Sequence, residues 1–224
     1  MRFLGEPAAA LAGLHAALQP YLASGLVHSL KLDTYERELD RYGATNIENS
    51  ETLFYHDSEA AVAILALLEG ASGDDLRWQL AIKGVDTLLT DLQFSLAEKR
   101  ELLEQLSRGF LAEMQGSMRA PKDFLKYKYR QHRGAIAALL TTPDAYLEPA
   151  LHQFVLRSEH LRTCAEHVLS SGLDRYKLAG SYVHMFLNRF LRSRQRLQEV
   201  VIYDMLHEHY KSVIARQRRQ PAVV

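Results

Sequence analysis

The chain has 224 residues, with 27 Lys and Arg against 27 Asp and Glu and an apolar fraction of 47%. That length buries a sizeable core, and the balanced charge supplies none of the basic excess that phosphate backbones attract, so direct nucleic-acid binding is disfavoured. No apolar run approaches the roughly 18 residues of a spanning helix, so no membrane span is expected. MRFLGEP also lacks the order of a secretory signal, and the expectation is a cytoplasmic protein.

The first element, PAAALAGLHAALQPYLASG, spaces Leu11, Leu14, Leu18 and Leu22 as a helix does, with Gly25 at its end. LVHSLKLDTY then alternates Leu30 and Leu32 with Lys31 and Asp33, a period of two that predicts a strand beneath the helix. With Met1 to Leu4 as the stub of a further strand, this opening reads as a fragment of a sheet whose other strands lie upstream. Beyond NIENSETLFYHDS the pattern turns to long helices. Asp57 or Ser58 is placed to cap SEAAVAILALLEG, acids open DDLRWQLAIKGVDTLLTDL, and Pro121 stands where KDFLKYKYRQHRGAIAALL begins. The expected fold is α+β, predominantly helical, a small sheet fragment with a helix followed by a helical bundle in one domain over 1–224. Cys164, the single cysteine, sits in a helical stretch and reads as a buried structural thiol. In the last helix Leu197, Val200, Val201 and Met205 form one apolar stripe, which suits intrachain core or a homodimer contact.

Phosphate loops, paired CxxC motifs and HExxH are absent, so neither a cofactor nor a metal is expected. His207 and His209 in HEH point to different helix faces and do not chelate one ion. In SYVHMFLNRF, His184 and Asn188 are four apart and share a helix face among apolar neighbours. Two readings stand: a structural histidine satisfied by a carbonyl or by Arg189, or a neutral proton acceptor whose ring Asn188 fixes. In DTYERELDRYG, a helical turn over Arg37 to Tyr42 brings Glu38 and Arg41 to one face, as a surface ion pair or as a guanidinium held ready for a carboxylate.

Taken in order, LVHSLKLDTYERELDRYG, SETLFYHDS, SYVHMFLNRF and VIYDMLHEHYKSVIARQ resemble the C-terminal domain of lantibiotic dehydratases, also called the thiopeptide-type bacteriocin biosynthesis domain. The resemblance spans Met1 to about Arg216. It implies a lyase that eliminates glutamate from glutamylated Ser or Thr of a precursor peptide with a leader, leaving dehydroalanine or dehydrobutyrine. The partner it implies is a glutamyl-tRNA-dependent glutamylation domain or protein. It carries catalytic roles onto Arg2, Glu38, Arg41 and His184, and Asn188 and Arg189 follow as substrate-binding candidates. Arg41 with Arg2 is expected to hold the glutamate carboxylates and the enolate oxygen, and His184 to move the proton. Glu38 is expected to orient an arginine or share in proton transfer. A second reading comes with the resemblance, a pyridine-forming cycloaddition enzyme of thiopeptide pathways; a third, from another class, is a non-catalytic peptide-binding or scaffold subunit, favoured if the sheet is truncated.

Overall fold

The computed structural model describes residues 6–31, 33–68, 70–113 and 122–219. The chain divides into two compact units, Met1–Glu38 and Leu39–Val224. In the first, α1 (Pro7–Ala23) opens with proline in its first turn, where a missing N–H costs nothing, and it has no buried residue. Gly25 takes a left-handed φ of 75° just past its end.

The described residues contain no strand, which corrects the expected α+β fold: they are helical throughout. Arg2 and the rest of the Met1 to Leu4 stub lie outside the described residues, as does Pro121. The described residues of LVHSLKLDTY, all but Leu32, run without helix or ladder. The physical reason is that alternation is necessary for a strand but does not supply one. A strand also needs a neighbour to take its backbone N–H and C=O groups, and no described residue provides that edge.

The second unit is a helical bundle: α2 (Leu39–Tyr42), α3 (Ile47–Ala66), α4 (Gly70–Asp91), α5 (Leu96–Glu113), α6 (Lys122–Thr141), α7 (Glu148–Ser170), α8 (Arg175–Phe190) and α9 (Gln195–Arg219). Leu80, Ile82, Val85, Leu88 and Leu89 of α4 are fully buried, and α4 contacts α6, α7, α8 and α9, so it is the inner helix around which the others pack. α3 lies along α7, and α5 lies along α9. Gly84 of α4 permits this closeness, since a Cβ there would stand 2.8 Å from Phe186 Cε1 and 2.9 Å from Phe154 Cε1. Val200 and Met205 of the α9 stripe are buried within the chain, and Cys164 is buried with its thiol pushed up by desolvation.

Asp57 does not begin a helix. α3 starts ten residues earlier at Ile47, and Asp57 sits inside it, 1% exposed. Its carboxylate accepts from Arg157 Nη1 of α7 at 2.9 Å and from Arg189 Nη1 of α8 at 3.1 Å, while Arg157 Nη2 donates to the Gly84 carbonyl. Burial pushes the Asp57 carboxyl above its ordinary 3.8, and the two guanidinium groups oppose that cost. This charged cluster joins α3, α4, α7 and α8 at one point.

Candidate functional site

Gly43 ends α2 with a φ of 76°, and its N–H bonds to the Leu39 carbonyl at 2.8 Å. A left-handed φ favours glycine, and a Cβ would meet Leu173 Cδ1 at 2.7 Å. The glycine of RYG therefore lets the motif lie against the loop that leads into α8. Tyr42 completes the attachment. It is 2% exposed and stacks on Tyr182 of α8 with centroids 5.9 Å apart and an interplanar angle of 4°. The Tyr182 hydroxyl is held by Ser50 Oγ at 2.7 Å and by Asn46 Nδ2 at 3.1 Å. Tyr42 and Tyr182 thus hold together two motifs distant in sequence, and their polar neighbours Arg41 and His184 come to line one cleft.

α8 starts at a well-formed cap: Asp174 accepts from the N–H groups of Tyr176 and Lys177. Leu178, Ala179, Tyr182, Val183, Phe186, Leu187 and Phe190 are buried, whereas His184, with its side chain 27% exposed, lies at the edge of that apolar face. Its Nδ1 is 2.9 Å from Glu199 Oε2, and its Nε2 is 2.9 Å from Asn188 Nδ2, the i, i+4 pairing expected from the sequence. With Nδ1–H donated to the carboxylate, Nε2 accepts from the Asn188 amide, which defines one neutral tautomer. Gln195 Nε2 donates to the Asn188 backbone carbonyl at 2.8 Å and ties the start of α9 to this turn.

Glu199 is 0% exposed, and its Oε2 also accepts from the Tyr203 hydroxyl at 3.3 Å, while Oε1 has no hydrogen-bond partner among the described residues. Burial, then the Glu199 charge, pushes the Tyr203 hydroxyl well above 10, so it stays a donor. Phe110 of α5 meets Tyr203 edge-on and lies 6.2 Å from the His184 ring, and the Arg196 guanidinium sits 4.8 Å from the Phe110 centroid.

His184, Tyr203, Phe110 and Arg196 border a cleft of about 510 Å³, with Glu199 behind them. One wall is α5, with Gln105, Leu106 and Phe110; the other is α8, with Lys177, Ser181 and His184. Arg41 and Arg196 also line it. A base held by a buried carboxylate, beside guanidinium groups in a concave site, can remove a proton and stabilise the anion that results.

Of the other expected residues, Arg189 is engaged with Asp57 and lies 4.9 Å from the Phe54 ring, and it is not among those lining the cleft. Glu38, exposed, ends the first unit, and Arg2 lies outside the described residues. Glu199, Tyr203 and Arg196 are absent from the sequence reading. A buried acid between Leu197 and Val200 in an apolar stripe was the available signal for Glu199.

The fold and cleft describe a helical domain in which a histidine held on a buried carboxylate shares a concave surface with two arginines. The family model described as lantibiotic biosynthesis dehydratase C-terminal matches residues 1–210, and the chain belongs to this family. No curated protein and no solved structure matches. Family membership assigns the chain to the dehydratase system of lantibiotic biosynthesis, and among the described residues no helix is long and apolar enough to cross a membrane.

Proposed function

We propose that this chain is the glutamate-eliminating lyase of a dehydratase, acting on glutamylated Ser or Thr of a ribosomally made precursor peptide. A glutamyl-tRNA-dependent partner supplies the ester. The observation that supports this reading is the shared cleft of Arg41 and His184, with His184 Nδ1 held 2.9 Å from the buried Glu199.

The reaction removes the α-proton of the modified residue and expels glutamate from its β-carbon. His184 Nε2 takes the proton; the C–H electron pair passes onto the peptide carbonyl as an enolate and returns to form the Cα=Cβ bond as Cβ–O breaks, and glutamate leaves as a carboxylate. The α-proton of a peptide unit is very weakly acidic, so the base needs help. A positioned base contributes about 10²–10⁴ in rate and a donor at the developing oxyanion on the order of 10²–10³. Arg41 is assigned, with Arg2, to the enolate oxygen and the departing carboxyl group, for which a planar guanidinium is suited. Asn188 holds the His184 ring, and Glu38 serves as an orienting or proton-sharing acid.

Incubation with a glutamylated precursor peptide tests this by mass spectrometry. The intact chain should release glutamate and leave dehydrated residues, whereas Arg41→Ala and His184→Ala, checked for folding by circular dichroism, should leave glutamyl esters at a rate about 10²-fold lower or less. Elimination by both folded variants at the unmodified rate removes these residues from the site. Conversion of a dehydrated peptide to a pyridine macrocycle, with glutamyl esters untouched, substitutes the cycloaddition reading.

A further inference from the structure

Whole-chain charge balance speaks against nucleic acid only where the charge is spread evenly, and here it is not. From Phe124 to Thr142 the sequence has no acid and four bases, Lys126, Lys128, Arg130 and Arg133. From His209 onward it again has no acid and four bases, Lys211, Arg216, Arg218 and Arg219, which leaves 19 bases against 27 acids elsewhere. The two basic stretches meet in space. α6 packs along α9, and the Tyr129 hydroxyl of α6 is hydrogen-bonded to Ser212 of α9. Burial raises that hydroxyl above its ordinary 10, with Glu208 adding to the rise, while Ser212, Arg216 and Arg133 oppose it, so bases of both helices face one phenol.

Helical geometry spreads the rest of the patch. At about 100° per residue, Leu125 and Ile136 point into the core and Tyr129 faces α9, while Tyr127 and Arg130 turn outward, with Lys126 and Arg133 between them and α9. None of Lys126, Arg130, Arg133 and Arg216 has an ion-pair partner among the described residues, whereas Lys99, Arg108, Arg157 and Arg175 each hold an acid. The acids at the border are Asp123, in the first turn of α6, and Glu208, which is held by Lys211 at 3.0 Å. Among these cations Tyr127 is 61% exposed, and Phe124 beside it has Lys128 Nζ 5.7 Å from its centroid.

Three kinds of polyanion answer uncompensated cations. An anionic membrane needs an outward apolar face, and the apolar face of α6 is in the core, with Leu125, Ile136 and Leu139 buried. An acidic peptide satisfies the cations but makes no use of the open ring. Single-stranded RNA uses both, since its phosphates meet the bases and its unstacked nucleobases lie flat on tyrosine and guanidinium planes. We propose that the α6–α9 face binds single-stranded RNA, with Lys126, Arg130, Arg133 and Arg216 on the phosphates and Tyr127 under a nucleobase. This stands apart from the elimination reading, because none of these residues borders the His184 cleft.

Fluorescence anisotropy of a labelled, unstructured RNA of about 15 nucleotides, titrated with the full chain, tests the proposal. Each phosphate neutralised contributes about 0.7 to the slope of log affinity against log salt, so four contacts predict a slope of about −2.8 and an affinity about 50-fold lower at about 200 mM than at about 50 mM salt. Arg130→Gln combined with Arg133→Gln should bring the slope to about −1.4. Tyr127→Ala should weaken binding about fivefold or more and leave the slope unchanged. Arg108→Gln, which removes an exposed base of α5, should alter neither quantity, and circular dichroism checks that each variant is folded. Absence of binding at the lower salt, or binding that the α6 variants leave unaltered, overturns the proposal. So does binding of a polyglutamate peptide that is as tight as that of RNA and indifferent to Tyr127→Ala, which makes the partner an acidic protein segment. Partition onto phosphatidylglycerol vesicles without binding of RNA overturns it in favour of a membrane surface.

Discussion

Helix α8 carries a charged cluster on each of two faces, and the two are built to different ends. Around Arg189, the Asp57 carboxylate is 1% exposed and is met by two guanidinium groups, one of which also bonds a backbone carbonyl. Around His184, the Glu199 carboxylate is just as buried, yet among the described residues it bonds an imidazole and a phenol only, and its second oxygen has no hydrogen-bond partner there. The first cluster balances charge inside the protein. The second leaves a carboxylate under-compensated beside a cleft, an arrangement that suits a residue whose work is to steady a proton carrier.

The largest expected effect breaks the first cluster. Arg157→Met strands Asp57 in the interior with only Arg189, and urea unfolding should show a loss of about 3–5 kcal/mol. The opposite sign is expected on the other face. Glu199→Gln removes a buried, under-compensated charge, so unfolding free energy should stay level or rise, while elimination measured by glutamate release falls on the order of 10²-fold as His184 loses the carboxylate on Nδ1. Equal stability losses in the two variants would erase the distinction between the clusters.

Smaller effects sharpen it. Gly84→Ala crowds Phe186 and Phe154 beneath the Arg157 cluster and should cost about 1–3 kcal/mol in urea unfolding. The least effect is expected from acid. Burial lowers the pKa of His209, His56 and His132 below 6.5, with His160 adding to the shift of His56 and Lys128 to that of His132. The unfolded chain then binds protons before the folded one as pH falls. Stability is therefore full above about 6.5 and declines below it, and unfolding midpoints at pH 7.5 and 5.5 should differ in that direction.

Much of the bundle is legible in the sequence because helical periodicity is local. α6 and α8 fall where their apolar spacing puts them, α4 begins at Gly70, ahead of the acids expected to open it, and the pairing of His184 with Asn188 needs no more than four residues of context. What is not legible depends on partners distant in the chain. The alternation in LVHSLKLDTY promises a strand, but pairing is a property of two segments. Asp57 looks like a cap because capping is what isolated aspartates before an apolar run do; its true partners, Arg157 and Arg189, lie on two other helices. Glu199 reaches His184 through the register of α9 against α8, which no spacing within either helix encodes.

The hydrogen bond from Asn188 Nδ2 to His184 Nε2, at 2.9 Å, gives the resting site the character of a latch. On the proposed reading, the Nε2 lone pair that takes the α-proton is the one the Asn188 amide occupies here. On that reading a peptide backbone would offer a carbonyl to the amide and an α-proton to the ring, so substrate binding would both release the base and present its target.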